Sequence, residues 1–440
     1  MNHHEERTVT PEGGNTAPNV HLVLKEEVEA TFGRRILTAR DCQLLSEQIY
    51  NKTATALNYN TLRRFFGIVR SAYPPSAATL TILANYCGFE SPADLASYKG
   101  KQRRRLNDDE QSMTRFLSGL FQNTPTRNAN DETFLAVVRH AINYVNDHPA
   151  IADKLQRAIA RTANGQTYYF EQFINIDKLN SHYGTGLLYY AAEKKTPEAK
   201  IFVHALLCQL GWATKQAEAV TAHYREVVSV PLTSDLHPFV GGRYFATRLF
   251  HADTLNLPVE DILAEAAAYH QGLPKSGDNY RFFPCFEYVI AIALTLTGHY
   301  SEAKHYLDYA ATAYTATHTY LDKGFYQTLD ICRGLTLVGL GKKEEALRVF
   351  ERLRPEEFYF LTKKTNTIQY LVLARELNQP ISDIDGQVEA LVQETGFVRM
   401  KELFRKGKEG VGIKKALYSL VMSAGANGFW EAEAFLSFGF

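Results

Sequence analysis

The sequence predicts an all-α protein: a cluster of short helices near the N-terminus, then a long series of helical hairpins. Three observations predict it. Apolar residues recur at three- and four-residue spacing, and strand-like alternation is nearly absent. Short segments of Gly, Pro, Asn and Ser separate the periodic stretches. Basic charge is also concentrated. Arg34 to Arg105 holds 12 Lys/Arg and 4 Asp/Glu, a net of +8, so the neutral chain leaves −8 for the remainder. That composition fits an anion-binding module joined to a separate acidic body.

The first 18 residues are polar, rich in Gly, Pro, Asn and Thr, and read as a disordered tail. Val20 to Phe32 is helical in pattern, with Leu22, Val23, Val28 and Phe32 apolar and Gly33 as its stop. The next helix starts at Thr38, where Asp41 completes an approximate capping box. Leu45 and Ile49 form its inner stripe, extended by Cys42 and Leu44. Asn58 is a good N-cap for a helix over 58–68. Leu62, Phe65, Phe66 and Val69 give that helix an apolar face, and Asn60, Arg63 and Arg64 a polar one. Pro74-Pro75-Ser76 breaks the chain and restarts it, with Leu80, Leu83, Ala84 and Cys87 as the following stripe. Ser91-Pro92 opens a fourth helix of this stretch, with proline at the first helical position.

The order resembles the lambda-repressor-like helix-turn-helix domain. Asn58-Tyr59-Asn60-Thr61-Leu62-Arg63-Arg64 stands where that family starts its recognition helix. Pro75, Ser76, Thr79, Leu80, Leu83 and Ala84 match its "P-S-x-x-T-L-x-x-L-A" element. The stretch is also similar to an N-terminal module of poorly characterised bacterial proteins, in Asp41-Cys42, Leu45-Ser46, Thr61 to Gly67 and Pro75 to Gly88. The connection NKTATAL is longer than the tight repressor turn. The resemblance implies a DNA-binding domain over 19–98 whose 58–68 helix enters the major groove. Arg63 or Arg64 would then pair with guanine and Asn60 with adenine, with Asn58 and Tyr59 also on the DNA-binding face and Lys52 holding phosphate. The basic run KGKQRRR lies in an expected linker over 99–110. Its Lys101, Arg103, Arg104 and Arg105 are either phosphate contacts or a solvated connection.

From 111 to 440 one helical pattern follows another, among them 111–122, 150–163, 167–179, 281–297 and 301–316, and finally 411–423 and 429–437. A weak repeat runs through them. LTLTGHYSEAKHYLDYA and LTLVGLGKKEEALRVFERL resemble the hinge and second helix of a tetratricopeptide repeat. Gly298 matches Gly341 and Ala303 matches Ala346, and small residues there are expected to let paired helices approach. A third copy is hinted at from Gly211. The expected fold class is therefore all-α, a small helix-turn-helix domain followed by a tetratricopeptide-like hairpin solenoid. Such stacks offer a concave surface to a peptide or protein. Peptide-sensing regulators of similar layout hold a peptide with first-helix polar residues. Gln327, Asp330 and Arg333, with Lys363, Asn366 and Tyr370, are the corresponding polar stripes, unless they are solvated faces.

No catalytic or metal-binding motif stands out, so no cofactor and no enzymatic activity are expected. Gly407 to Lys414 superficially suggests a phosphate loop but has Ile413 where lysine is needed. The aromatic runs Tyr168-Tyr169-Phe170, Tyr189-Tyr190 and Phe358-Tyr359-Phe360 are expected to pack between helices. Five scattered cysteines without a CxxC pair, no leader-like stretch and no long apolar run point to a cytoplasmic protein away from membranes. Two functions fit: a DNA-binding regulator, compatible with a homodimer, with a ligand- or partner-sensing body, and a protein-interaction scaffold whose N-terminal module binds protein in place of DNA.

Overall fold

The computed structural model describes residues 20–71, 73–126, 131–273, 284–313 and 323–404, with backbone alone at 103, 104, 106, 107, 312, 313 and 323. The described residues are all-helical. The expected tail over 1–18, the loop at 407–414 and the helices over 411–423 and 429–437 lie outside them. The chain divides into two compact units, Met1–Met113 and Thr114–Phe440.

In the first unit α1 (Val20–Phe32), α2 (Ala39–Thr53), α3 (Tyr59–Phe65), α4 (Ala77–Tyr86) and the start of α5 (Pro92–Asn123) surround one apolar core. Leu24, Val28, Cys42, Leu45, Ile49, Leu62, Phe65 and Leu83 fill it. The helix starts are where the capping residues put them. The Thr38 hydroxyl accepts from the Asp41 amide at 3.2 Å, and the Asp41 carboxylate accepts from the Thr38 amide at 2.9 Å, closing the capping box. Asn58 accepts from the Asn60 amide and Ser76 from the Thr79 amide. Three apolar positions turn outward instead of joining the core. Leu22 and Leu44 are exposed because Leu24 and Cys42 occupy the inner positions of their helices. Val69 is exposed because α3 stops at Phe65, four residues before it.

The 99–110 segment is the interior of α5 and not a linker. From Ala93 to Asn123 there is no proline, and Lys, Gln, Arg, Leu and Glu are good helix formers, so nothing ends the helix at Tyr98. The two units divide after Met113, not at 98 or 110.

The second unit opens with α6 (Glu132–Asp147), α7 (Ala152–Ile159) and α8 (His182–Glu193). The helix expected over 167–179 is absent as such. Residues Gly165–Gln172 form a wider, π-type turn, and Ile176–Lys178 a single 3-10 turn. Tyr168, Tyr169 and Phe170 are all buried, and three consecutive buried rings do not fit the single inward face of an ordinary amphipathic helix.

Five hairpins follow: α9 (Pro197–Ala213) with α10 (Ala217–Val228), α11 (Pro238–Leu255) with α12 (Glu260–Gly272), α13 (Cys285–Thr297) with α14 (Tyr300–Ala313), α15 (Lys323–Gly339) with α16 (Lys343–Phe350), and α17 (Lys363–Glu376) with α18 (Ile384–Thr395). The first helices pack in series, α9 on α11, α11 on α13, α13 on α15 and α15 on α17. They are buried nearly all round, as helices sandwiched between layers must be. The second helices bury only a narrow stripe, such as Val220 and Val227 on α10 or Ala346 and Val349 on α16.

Each hairpin has a residue of positive φ at the end of its first helix, and these are Lys215, Asn256, Gly298, Gly341 and Asn378; the last connection holds a second, Asp383 at the start of α18. In each case the next amide reaches back to a first-helix carbonyl, as His299 does to Leu294 at 2.9 Å and Lys342 to Leu337 at 2.8 Å. The glycines therefore supply backbone conformation and not close approach. A Cβ on Gly341 would meet nothing within 4 Å. Close approach comes from Ala303 and Ala346, both fully buried.

Candidate functional site

On the first unit, α3 is short and stands directly on the core through Leu62, Phe65 and Phe66. Asn60 and Arg64 are exposed and Arg63 half-buried. Arg63 Nη1 donates to Asn60 Oδ1 at 3.1 Å, which orients both side chains on the outer face. Arg63 Nε is buried without an acceptor. The Asn58 carbonyl oxygen is spent on the cap, and Tyr59 packs on the core, so these two position the helix. Lys25 on α1 donates to the Phe66 carbonyl at 3.2 Å, a cation at the C-terminal end of α3. Lys52 is exposed at the end of α2, with Nζ 5.2 Å from the Tyr86 ring centre.

Lys101 and Arg105 are exposed one helical turn apart on α5. The side chains of Arg103 and Arg104 lie outside the described residues. Lys99 is engaged by Glu27 of α1 at 2.6 Å. Three exposed basic residues were not singled out from the sequence, Arg35, Arg40 and Arg70. Only the segment-wide charge count carried their signal. Asp41 does not oppose them. The Thr38 hydroxyl, the Leu37 and Thr38 amides and Arg34 hold its carboxyl below the ordinary carboxylate range and occupy its charge.

On the second unit the six polar residues expected to share a groove do not come together. Gln327 accepts from the Arg354 amide at 2.8 Å. Arg333 donates to the Leu307 carbonyl at 2.8 Å and lines a cleft of about 270 Å³ with Lys304, Arg348 and Arg352. Burial raises the Asp330 carboxyl, with Arg333 and Arg352 opposing that shift. Tyr370 stacks on Phe350, and Lys363 is exposed. Each first helix has neighbours on several sides, so even residues that share a face by spacing, such as Asn366 and Tyr370, meet different elements.

Asn366 alone reaches the inner face. It donates to Thr328 at 2.9 Å and to Thr362 at 3.1 Å. Together with Gln209, Arg243, Tyr288 and Gln369 it lines a cavity of about 50 Å³, closed by Met400 from the segment after α18. Arg243 Nη1 donates to Gln209 at 2.6 Å. Gln209, Arg243 and Gln369 sit among apolar or aromatic neighbours on their helices, and Met400 between Arg399 and Lys401. The sequence offers no sign that they share a cavity.

Among the described residues no group of three or more His, Cys, Asp or Glu is placed to hold a metal ion, and no helix is long and apolar enough to cross a membrane. The expected packing role of the aromatic runs holds for Tyr168, Tyr169, Phe170, Tyr190, Phe358 and Tyr359, which are buried. Comparison with protein-family models, with curated proteins and with solved structures found no match.

Proposed function

We propose that the chain is a non-enzymatic, cytoplasmic, DNA-binding transcriptional regulator of the repressor-like helix-turn-helix kind, whose tetratricopeptide-like hairpin unit binds a ligand or protein partner. The observation that carries the reading is the outer face of α3. Asn60, Arg63 and Arg64 project from a capped helix on a rigid core, in a segment of net charge +8. Arginine and asparagine are the residues that pair with guanine and adenine edges in the major groove. Lys52, Lys101 and Arg105 supply phosphate contacts that set position without reading sequence. Dimerisation would place two such helices on successive half-sites.

The test is binding of the full chain to duplex DNA over a salt series, with Arg63→Ala/Arg64→Ala alongside. Tight binding with a steep salt dependence, weakened in the variant, supports the reading. No binding at low salt sinks it. A second reading then takes over, in which the unit docks a protein. Leu37 and Tyr73, 71% and 83% exposed, favour it as apolar contacts outside α3.

A further inference from the structure

Arg243 is 8% exposed, and no carboxylate among the described residues pairs with it. Its one side-chain acceptor is the neutral Gln209 amide; the Phe239 ring lies 5.1 Å away, and the Tyr288 and Tyr183 hydroxyl-bearing rings also favour its charged form. Nε is buried without an acceptor. Burial pulls the guanidinium down to about 10, so it stays charged at neutral pH. An unpaired buried charge is costly unless something compensates it. Across the same cavity Gln369 is 3% exposed, and its Oε1 has no donor. The cavity is therefore lined by a guanidinium that no carboxylate among the described residues neutralises and by an amide whose oxygen has no donor. One side of it is apolar, with Ala246, Phe250, Ile292 and Leu296, while Thr328, Thr365 and Asn366 add hydroxyl and amide groups to the rest of the lining. The volume of about 50 Å³ admits a few water-sized atoms by the same measure, and the Met400 side chain takes up the space next to it.

We propose that this inner-face cavity is a binding site for a small carboxylate that also carries an O–H or N–H donor on an apolar skeleton. The carboxylate pairs with Arg243, the donor meets Gln369, and the apolar part takes the place of the Met400 side chain. The site names the ligand class of the sensing unit and rests on that half of the proposed function. It does not depend on DNA binding.

The test uses the full chain without DNA. Thermal denaturation and calorimetric titration are run with 2-hydroxy-3-methylbutanoate, with its neutral amide, and with inorganic phosphate. The expected result is a saturable rise in melting temperature with the hydroxy acid and none with the amide. Met400→Ala should bind it more tightly, because the lining side chain that the ligand has to displace is gone. Arg243→Met should weaken binding on the order of 10- to 100-fold, the worth of a charge-assisted pair. Arg243→Met should also melt no lower than the wild type, since it removes an unpaired buried charge. A merely structural arginine would give the opposite sign. If Arg243→Met does not fold, Arg243→Gln and the acid-against-amide comparison in the wild type decide. The proposal is overturned by equal effects of acid and amide, by an equal effect of phosphate, by binding that survives loss of Arg243, or by no effect of the acid on wild type and Met400→Ala. Any of these leaves the DNA titration unaffected.

Discussion

Replacing Gly341 by alanine tests the hinge that organises the hairpins. Gly341 has φ +76°, and a Cβ there would touch nothing within 4 Å, so the cost is backbone strain alone. A left-handed alanine is strained by about 1–2 kcal/mol. The stiffer unfolded chain of alanine returns about 0.4–1 kcal/mol of that. The net destabilisation is on the order of 1 kcal/mol, a fall in melting temperature of about 2 °C for a unit of this size. Asn256→Gly is the mirror experiment, because Asn256 occupies the same conformation at φ 52° with a side chain present. It should be neutral or slightly stabilising. Gly339→Ala, two residues away, should fail for another reason: its Cβ would lie 2.3 Å from ring carbons of Tyr300. Overpacking of that kind costs about 1–3 kcal/mol, and Tyr300→Leu in the same chain should recover part of it. Urea denaturation of the set gives the free energies. Equal stability of Gly341→Ala and wild type, or a loss in Asn256→Gly matching that in Gly341→Ala, would refute the hinge assignment.

Other perturbations reach separate parts of the molecule. Burial, with Lys178 nearby, pulls His182 from its ordinary 6.5 down to about 4, and burial lowers His204 and His223 as well. The unfolded chain then takes up protons that the folded one refuses, so stability is full above pH 6.5 and falls as pH drops towards 4. Denaturation across that range should show the fall, and His182→Gln should flatten it. Lys101→Ala and Arg105→Ala should each lower the salt slope of DNA binding by about 1, with little change in sequence preference. Burial pushes the Cys87 thiol up to about 11 and Cys208, Cys285 and Cys332 up to about 12. The fully buried pair, Cys208 and Cys332, should resist a thiol reagent at pH 8 until denaturant is added; rapid labelling of either in the native protein would contradict its burial.

The sequence made the local features legible where one residue type has one structural use. Thr38 with Asp41, Asn58, Ser76 and Pro92 mark helix starts, and each stands at the start it predicts. Gly298 and Gly341 marked two hinges because glycine is the default left-handed residue. The other three hinges were hidden in Lys215, Asn256 and Asn378, residue types found equally on any helix surface. Long-range choices were not legible at all. Which face of α15 or α17 turns inward depends on neighbours nearly 40 residues away, so Gln327, Arg333 and Tyr370 went to other contacts while Gln369 and Thr328 reached the cavity. The charge of 99–105 suggested solvent and hence a connection, but exposed charge is fully compatible with the interior of a helix such as α5.

Closure of the hairpin stack decides how its inner face can be reached. Asp177, ahead of α8, accepts from the Lys364 and Thr365 amides at 2.8 and 3.0 Å and so caps the start of the last first helix, α17. Residues 397–404 then tie the end of the stack back to its beginning. Arg399 pairs with Asp253 and lies over the Trp212 ring, Lys215 pairs with Glu402, and Phe404 stacks on Tyr300. These partly exposed ion pairs are each worth about 0–1 kcal/mol. The stronger anchors are Phe397 and Met400, each 1% exposed, whose burial contributes about 1.5–3 kcal/mol apiece. A ligand that displaces only Met400 works against one of these two anchors and leaves Phe397 in place. Phe397→Ala removes the larger anchor and should loosen the whole segment. It should therefore raise ligand affinity while lowering stability, whereas Met400→Ala raises affinity at a smaller loss. Hydrogen exchange at the Met400 amide, which is bonded to the Phe397 carbonyl at 3.1 Å, reads the difference. Faster exchange in Phe397→Ala than in Met400→Ala is expected. Equal exchange in both would mean that the segment is held by its ion pairs and not by its buried side chains.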